Sequence, residues 1–238
     1  MSLSFAAAVF RASSRYGRSW RPINGLPAVL ATVVAVLIAV AAPVRAEPIT
    51  ILGLGDSLMA GYGLGHGSSF PSQLEAALRQ RGHDVRVINA GVSGDTSAGG
   101  KARLEWSLAE APDAAIVELG ANDGLRGLSP DAMHANLDAI LTMLDERGIP
   151  TLLAGMRAPP NLGREYAEAF QRVFTDLAAK HRVVFYPFFL DRVAAYAALN
   201  QDDGIHPNAE GVAAIVEAIL PKVEELIARV KQQQASRG

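Results

Sequence analysis

The sequence predicts a single α/β domain in which helices cover a parallel β-sheet. Short apolar segments rich in β-branched residues alternate with longer segments of helical periodicity, and glycine, proline or asparagine separates them. The length agrees with this fold, since 238 residues with 50% hydrophobic and 19% charged side chains suffice for one well-buried domain and are few for two.

Five segments are predicted strands because they are short and largely apolar, as buried parallel strands are. They are residues 49–54, 85–89, 114–119, 151–155 and 183–186. Five longer segments are predicted helices, namely 71–81, 99–110, 130–147, 164–181 and 209–231. Ser129 and Pro130 form a good helix start, and Gly148 marks a helix end. The polar residues from Gln232 onward are expected to fray.

Residues 1–46 are predicted to be a secretory signal peptide, with cleavage after Ala46 leaving 47–238 as one domain. Four arginines precede the apolar run 26–42, and Val44 and Ala46 suit signal peptidase. The apolar run is shorter than the about 20 residues that span a bilayer, so no stable membrane span is expected after cleavage. We therefore expect a periplasmic or secreted protein. The alternative is that residues 1–46 remain as an uncleaved membrane anchor.

Composition excludes several function classes. The net charge is −2 although residues 1–46 hold five arginines and no acid, so the domain itself is acidic, and no nucleic-acid partner is expected. Cysteine is absent, which excludes disulfides and thiolate chemistry and leaves an oxygen or an amine as any nucleophile. Four histidines without metal-ligand spacing are interpreted as surface or loop residues: His66, His83, His134 and His181.

Unusual polar residues collect in four loops, three after predicted strands and one before the last helix. Ligands bind beyond the carboxyl ends of parallel strands, so these loops are candidate site elements. They are 53–58, 89–95, 120–123 and 202–208. Each alone has an ordinary explanation as a turn or a helix cap. Together they supply the groups that ester hydrolysis by serine requires: a hydroxyl, a base, a carboxylate and oxyanion donors.

Ser57 is the candidate nucleophile. Asp203 and His206 are three residues apart, so the carboxylate can hold one imidazole nitrogen while the other faces Ser57. The glycines around Ser57 allow a sharp turn that directs its backbone N–H at the substrate oxygen. The Gly94 N–H and the Asn122 amide are further candidate donors, and this chemistry requires no metal.

These blocks resemble the SGNH, or GDSL-type, hydrolases. They read GDSL at 55–58, Gly94 within SGDTS, GAND at 120–123 and DGIHPN at 203–208, in the family's order. The stretches GDSLMAGYGL, SGDTSAGG, VELGANDGLRGL and NLGREYAEAF are similar to the periplasmic multifunctional acyl-CoA thioesterase, lysophospholipase and arylesterase subgroup. The resemblance implies a three-layer α/β/α flavodoxin-like fold with a five-stranded parallel sheet and no cofactor.

The resemblance also implies residue roles. It makes Ser57, Asp203 and His206 the catalytic triad, with Ser57, Gly94 and Asn122 as oxyanion donors. It implies a substrate border formed by Leu125, Arg126, Gly127, Leu128, Met156 and Pro159. Asp202 adjoins Asp203, and the family's spacing favours Asp203.

Four further features have structural interpretations. Asp56 and Asp123 are interpreted as fixing their loops through hydrogen bonds to backbone amides, rather than as catalytic groups. The glycine-rich segment 61–67 is interpreted as a flexible loop near the site, because it lies too far from the first strand for a nucleotide loop. The aromatic cluster 185–190 is interpreted as core packing, with an acyl pocket as the alternative.

The leading hypothesis is an enzyme that hydrolyses fatty acyl esters or thioesters through an acyl-serine. Its partner would be a small-molecule or lipid acyl ester, and a monomer is expected. One alternative is a carbohydrate O-deacetylase of the same family, which a strong acetyl preference would reveal. Another is a non-catalytic lipid carrier, which would need none of the five candidate site residues.

Overall fold

Five short strands form one parallel sheet in residues 47–237, the part of the chain that this computed structural model describes. The strands are β1 (Ile49–Gly55), β2 (Val85–Gly91), β3 (Ala114–Glu118), β4 (Thr151–Ala154) and β5 (Val184–Tyr186). Every predicted strand is present, with bounds that differ by one or two residues. The predicted signal peptide, 1–46, lies outside the described residues.

The strand order is β2-β1-β3-β4-β5, and every neighbouring pair is parallel. The chain first moves from β1 to β2, then crosses back over β1 to β3 and continues in that direction. Right-handed crossovers therefore place the connecting helices on both faces of the sheet. This is the flavodoxin-like order, whose switch point lies between β1 and β3, and it confirms the predicted fold.

Helices cover both faces of the sheet. The helices are α1 (Ser57–Ala60), α2 (Phe70–Gln80), α3 (Ser97–Ser107), α4 (Ala121–Leu125), α5 (Pro130–Glu146), α6 (Arg164–His181) and α7 (Ala209–Arg237). Helix α2 packs against α7, while α5 contacts both α3 and α6, which gives two helical layers. The five long helices were predicted, whereas the short helices α1 and α4 were not.

The end of α7 differs from the prediction. The helix continues to Arg237 instead of fraying from Gln232. Side chains of its last turns are tied to the domain, because the Gln233 amide donates to the Gly148 carbonyl at 2.9 Å. Gln234 reaches the Asp113 carboxylate at 3.4 Å. Tertiary hydrogen bonds therefore hold a polar segment that composition alone marks as mobile.

The central strands form a buried hydrophobic core that holds the ends of these strands in place. Strands β3 and β4 are buried along their whole length, and β1 is buried at every residue except Thr50. Four phenylalanines are among the largest fully buried side chains: Phe70, Phe170, Phe174 and Phe189. Close packing of this kind resists small displacements, so loops that leave β1 and β3 start from fixed points.

Candidate active site

A hydroxyl, an imidazole and a carboxylate meet above the carboxyl end of the sheet. His206 Nε2 lies 2.9 Å from Ser57 Oγ, and His206 Nδ1 lies 2.6 Å from Asp203 Oδ2. The structure thus brings together three residues that the sequence predicted to act as a unit. A serine hydroxyl in this arrangement can lose its proton to the imidazole as it attacks an electrophile.

The Asp203 carboxylate is held in its ionised form. The hydrogen bond from His206, supported by the backbone N–H groups of His206 and Ile205, lowers the pKa of Asp203 to about 2. An ionised acceptor at Nδ1 favours the imidazole tautomer that carries its proton there, which leaves Nε2 to accept the Ser57 proton. The carboxylate that reaches His206 belongs to Asp203 rather than to the neighbouring Asp202.

Amide side chains brace the loop that carries Asp203 and His206. The Gln201 side-chain amide donates to the Tyr62 carbonyl at 2.8 Å, and the Gln201 backbone N–H donates to the His206 carbonyl at 2.7 Å. Asn208 accepts the Gly211 N–H at 2.9 Å near the start of α7. These bonds link the imidazole both to α7 and to the glycine-rich segment 61–67. The Tyr62 ring of that segment lies 4.7 Å from the His206 ring.

Ser57 is the first residue of α1 and follows the tight turn at Asp56 that connects this helix to β1. Asp56 caps α1, because its Oδ1 accepts the Leu58 N–H at 3.0 Å. A side chain at Gly91 would lie 2.2 Å from the Ala60 nitrogen, so glycine at the end of β2 is what lets α1 lie against this strand. Within residues 47–237 no acceptor is found for the Ser57 N–H.

The other two predicted oxyanion donors border the same space. Asn122 Nδ2 donates to Asp56 Oδ2 at 3.0 Å, which leaves its second N–H available to a ligand. Gly94 has a φ of +85°, and its carbonyl accepts from Arg126 at 2.8 Å. Its N–H meets no acceptor in the described part of the chain. Ser57, Gly94 and Asn122 all line one cleft.

The cleft has a volume of about 810 Å³ and is lined mainly by apolar side chains. Three of the six predicted substrate residues lie in its lining: Leu125, Met156 and Pro159. The other three are not part of this lining. Arg126 instead holds the Gly94 carbonyl, Gly127 forms a turn with a φ of +61°, and the Leu128 carbonyl accepts the Tyr166 hydroxyl at 2.7 Å.

One wall of the cleft comes from the aromatic cluster 185–190. Phe188 and Leu190 line the cleft, as in the acyl-pocket alternative, and they also pack against the core, while Phe189 is fully buried. The guanidinium of Arg157 lies 4.3 Å from the centre of the Phe188 ring. The position of the segment, directly after β5, is the signal in the sequence that favours the acyl-pocket alternative, because site residues follow strand ends.

Two carboxyl groups are buried beneath the Ser57 turn. Burial raises the pKa of Asp56 to about 6. Burial, followed by the negative charge of Asp56, raises the pKa of Glu118 well above its usual range. Glu118 Oε2 accepts the Asp56 N–H at 3.4 Å. The sequence analysis did not single out Glu118, although an acidic residue at the end of an apolar strand is itself a signal.

Asp123 and His181 have structural roles outside the site. Asp123 accepts the Ser97 N–H at 2.7 Å and the Ser97 hydroxyl at 2.6 Å, which ties α4 to the start of α3. His181 is not a surface or loop residue, because its side chain is almost fully buried at the end of α6 and lies 2.6 Å from Asp138. His134 lies within α5.

Comparisons with known proteins agree with this architecture. Residues 54–214 match the GDSL-like lipase/acylhydrolase family. Esterase TesA of Pseudomonas aeruginosa is 41% identical over 179 residues, which cover 75% of this chain and 89% of that protein. The thioesterase 1/protease 1/lysophospholipase L1 of Escherichia coli is 38% identical over 179 residues, 75% of this chain and 85% of that one.

A solved structure adds a spatial comparison. The crystal structure of AlinE4, an SGNH-hydrolase family esterase, is 49% identical and superimposes with a TM-score of 0.65 over 76% of this chain and 97% of that chain. The matches confirm the family that the four sequence blocks indicated and the predicted class of enzyme, an ester hydrolase. The chain belongs to the GDSL-like lipase/acylhydrolase family.

Proposed function

We propose that this protein hydrolyses fatty acyl esters or thioesters, with Ser57 as nucleophile, His206 as general base and Asp203 as the carboxylate that orients it. The observation that carries the proposal is the hydrogen-bonded series of these three side chains, at 2.9 and 2.6 Å, at the wall of an apolar cleft. Neither a metal nor a cofactor enters the proposed chemistry.

The first half of the reaction forms an acyl-enzyme. Ser57 Oγ bonds to the carbonyl carbon while its proton passes to His206 Nε2. The N–H groups of Ser57, Gly94 and Asn122 donate to the oxyanion of the tetrahedral intermediate. His206 then gives its proton to the departing alcohol or thiol, and the carbon–oxygen or carbon–sulfur bond to the leaving group breaks.

The second half repeats these steps with water. His206 takes a proton from water as the water oxygen attacks the acyl-serine carbonyl. The same donors face the second oxyanion, and the proton returns to Ser57 Oγ as the acid is released. Asp203 keeps its negative charge throughout and stabilises the imidazolium that forms in each half.

The cleft lining favours an acyl chain over an acetylated carbohydrate. Leu125, Met156, Phe188 and Leu190 present apolar surface, which an alkyl chain buries favourably and a sugar does not. The names of the relatives, an esterase and a thioesterase/lysophospholipase, support both ester and thioester leaving groups. We therefore place the acyl chain of the substrate in this cleft.

A substrate panel tests the proposal. Rates would be measured on p-nitrophenyl acetate, p-nitrophenyl octanoate, a lysophospholipid and an acyl-CoA, with Ser57→Ala as the matched inactive control. We expect kcat/KM for the octanoyl ester to exceed that for the acetyl ester by at least about tenfold. A strong acetyl preference would indicate a deacetylase instead. Retention of a fatty acid without product release would indicate a carrier.

Export is a separate part of the proposal. Residues 1–46 have the charged, apolar and small-residue regions of a signal peptide, and we propose cleavage after Ala46 and a periplasmic or secreted single domain. In residues 47–237, no helix has the length and apolar character that crossing a bilayer requires. N-terminal sequencing of the exported protein should begin at Glu47, and an intact Met1 would contradict cleavage.

A further inference from the structure

We propose that Asp56 is a positioning residue that orients the Asn122 side-chain amide, so that its free N–H points to the same oxyanion as the Ser57 N–H. One carboxylate then aligns two of the oxyanion donors. This inference rests on the proposed function, because it requires Asn122 to donate to the oxyanion. It differs from the loop-fixing interpretation, since Asp56 acts here through another side chain.

The two oxygens of Asp56 serve two different elements. Oδ1 accepts the Leu58 N–H at 3.0 Å and so fixes the first turn of α1, where the Ser57 N–H lies. Oδ2 accepts from Asn122 Nδ2, also at 3.0 Å, across the switch point between β1 and β3. The carboxylate therefore ties the turn after β1 to the side chain that follows β3.

The hydrogen bond also decides which way the Asn122 amide faces. A terminal amide can rotate so that either its NH₂ group or its carbonyl oxygen faces a given neighbour. A carboxylate attracts the NH₂ group and repels the carbonyl oxygen. With one N–H on Asp56, the second N–H of Asn122 remains free to donate toward the cleft, which Asn122 lines. The flipped amide would present an acceptor, and an acceptor would oppose a developing oxyanion.

The backbone around Asn122 does not by itself supply this restraint. Helix α4 has only five residues, and it follows Gly120, whose φ is +114° and which provides no side-chain cap. Asp56, by contrast, is fully buried and uses both oxygens, and its own N–H is held by Glu118 at 3.4 Å. A rigid, buried acceptor is suited to orienting a side chain on a short helix.

Asp56→Asn tests the proposal because asparagine is isosteric but offers one acceptor where aspartate offers two. Asparagine is a good helix cap, so the Leu58 contact can survive while the second atom becomes a donor that faces Asn122. We expect kcat on p-nitrophenyl octanoate to fall about tenfold to a hundredfold with little change in KM. Loss confined to KM would overturn the proposal.

Asp123→Asn is the matched control. Asp123 is a buried aspartate on the same helix as Asn122, and its oxygens accept from Ser97. A purely structural penalty for losing a buried carboxylate should appear in both variants, whereas kcat per folded molecule should change less than about threefold in the control. An equal loss of kcat in both variants would contradict a specific role for Asp56.

Asp56→Ser provides a second test if Asp56→Asn does not fold, because serine retains the cap but cannot reach Asn122.

A double-mutant cycle separates this inference from the proposed function. In the Asn122→Ala background, Asp56→Asn should cost less than about threefold more in kcat, because the side chain it positions is gone. Independent, multiplying losses would overturn the positioning role while leaving Asn122 as a donor. Wild-type kcat in Asn122→Ala alone would instead remove Asn122 from the proposed oxyanion site, and the positioning role with it.

Discussion

At the scale of single residues, the main electrostatic feature is a pair of buried carboxyl groups, Asp56 and Glu118, beneath the proposed nucleophile. Asp56 has two hydrogen-bond donors to its oxygens, from Leu58 and Asn122, and these oppose the effect of burial on its pKa. Glu118 Oε1 has no hydrogen-bond partner among the described residues. We therefore expect one negative charge in this space at neutral pH, on Asp56, with Glu118 protonated.

Glu118→Gln tests the protonation of Glu118. The pKa of Glu118 is higher in the folded state than in the unfolded state. The contribution of protonated Glu118 to the free energy of unfolding is therefore fully present below the unfolded pKa and is lost as the pH rises through the folded pKa. The free energy of unfolding of the wild type should therefore fall relative to that of Glu118→Gln as the pH rises above 4.5, the ordinary pKa of a glutamate. Urea denaturation of both proteins over this pH range measures the difference between their free energies of unfolding. A difference that does not change with pH would contradict a protonated Glu118.

Asp203→Asn tests the orienting carboxylate. The pKa of Asp203 lies near 2, so this group stays ionised over the working pH range, and asparagine in its place would favour the wrong imidazole tautomer. We expect kcat to fall by about a hundredfold or more, with an unchanged fold by circular dichroism. Asp202→Asn, the adjacent exposed position, should keep wild-type kcat. The reverse result would assign the carboxylate to Asp202.

At the scale of the elements, the parallel strands were predictable because each is a short, largely apolar segment with clear polar boundaries. The short helices α1 and α4 were not, since four or five residues carry no periodicity and depend on contacts such as the Asp56 cap. The cleft wall at Phe188 was predicted only as the alternative to core packing, for a related reason. Whether an aromatic side chain after a strand turns into the core or into a cleft is decided by the chain around it.

The packing of α1 on β2 gives a testable requirement at Gly91. A methyl group there would approach the Ala60 backbone to 2.2 Å, so α1 and Ser57 must move. We expect Gly91→Ala to lower the free energy of unfolding by about 2 to 4 kcal/mol. It should also lower kcat by about tenfold to a hundredfold, because small misplacements of reacting groups are costly.

Gly65→Ala, in the loop that follows α1, is the control for Gly91→Ala. Apart from its chain neighbours, no atom of residues 47–237 lies within 4 Å of a Cβ added at Gly65, so the same chemical change should alter stability by no more than about 0.5 kcal/mol. Denaturation curves and esterase rates of both variants provide the measurement. A Gly91→Ala variant as stable and active as Gly65→Ala would show that α1 does not need this close approach.

At the scale of the whole molecule, the sheet explains how sequence blocks spread over residues 55–208 meet. The loops after β1, β2 and β3 all leave the same edge of a parallel sheet, and the loop before α7 returns to it. The motif residues were therefore predictable as a group once the fold was predicted. Hydrogen bonds between side chains from different loops, such as that between Asp56 and Asn122, depend on three-dimensional packing that no local pattern contains.

Covalent labelling tests the central claim, that Ser57 is the nucleophile activated by His206. The purified protein would be treated with a fluorophosphonate, and the adduct would be counted by intact mass and located by peptide mapping. We expect one adduct, on Ser57, that forms in step with the loss of esterase activity, and neither adduct nor activity in Ser57→Ala. An adduct on another residue, or an active Ser57→Ala variant, would contradict the account.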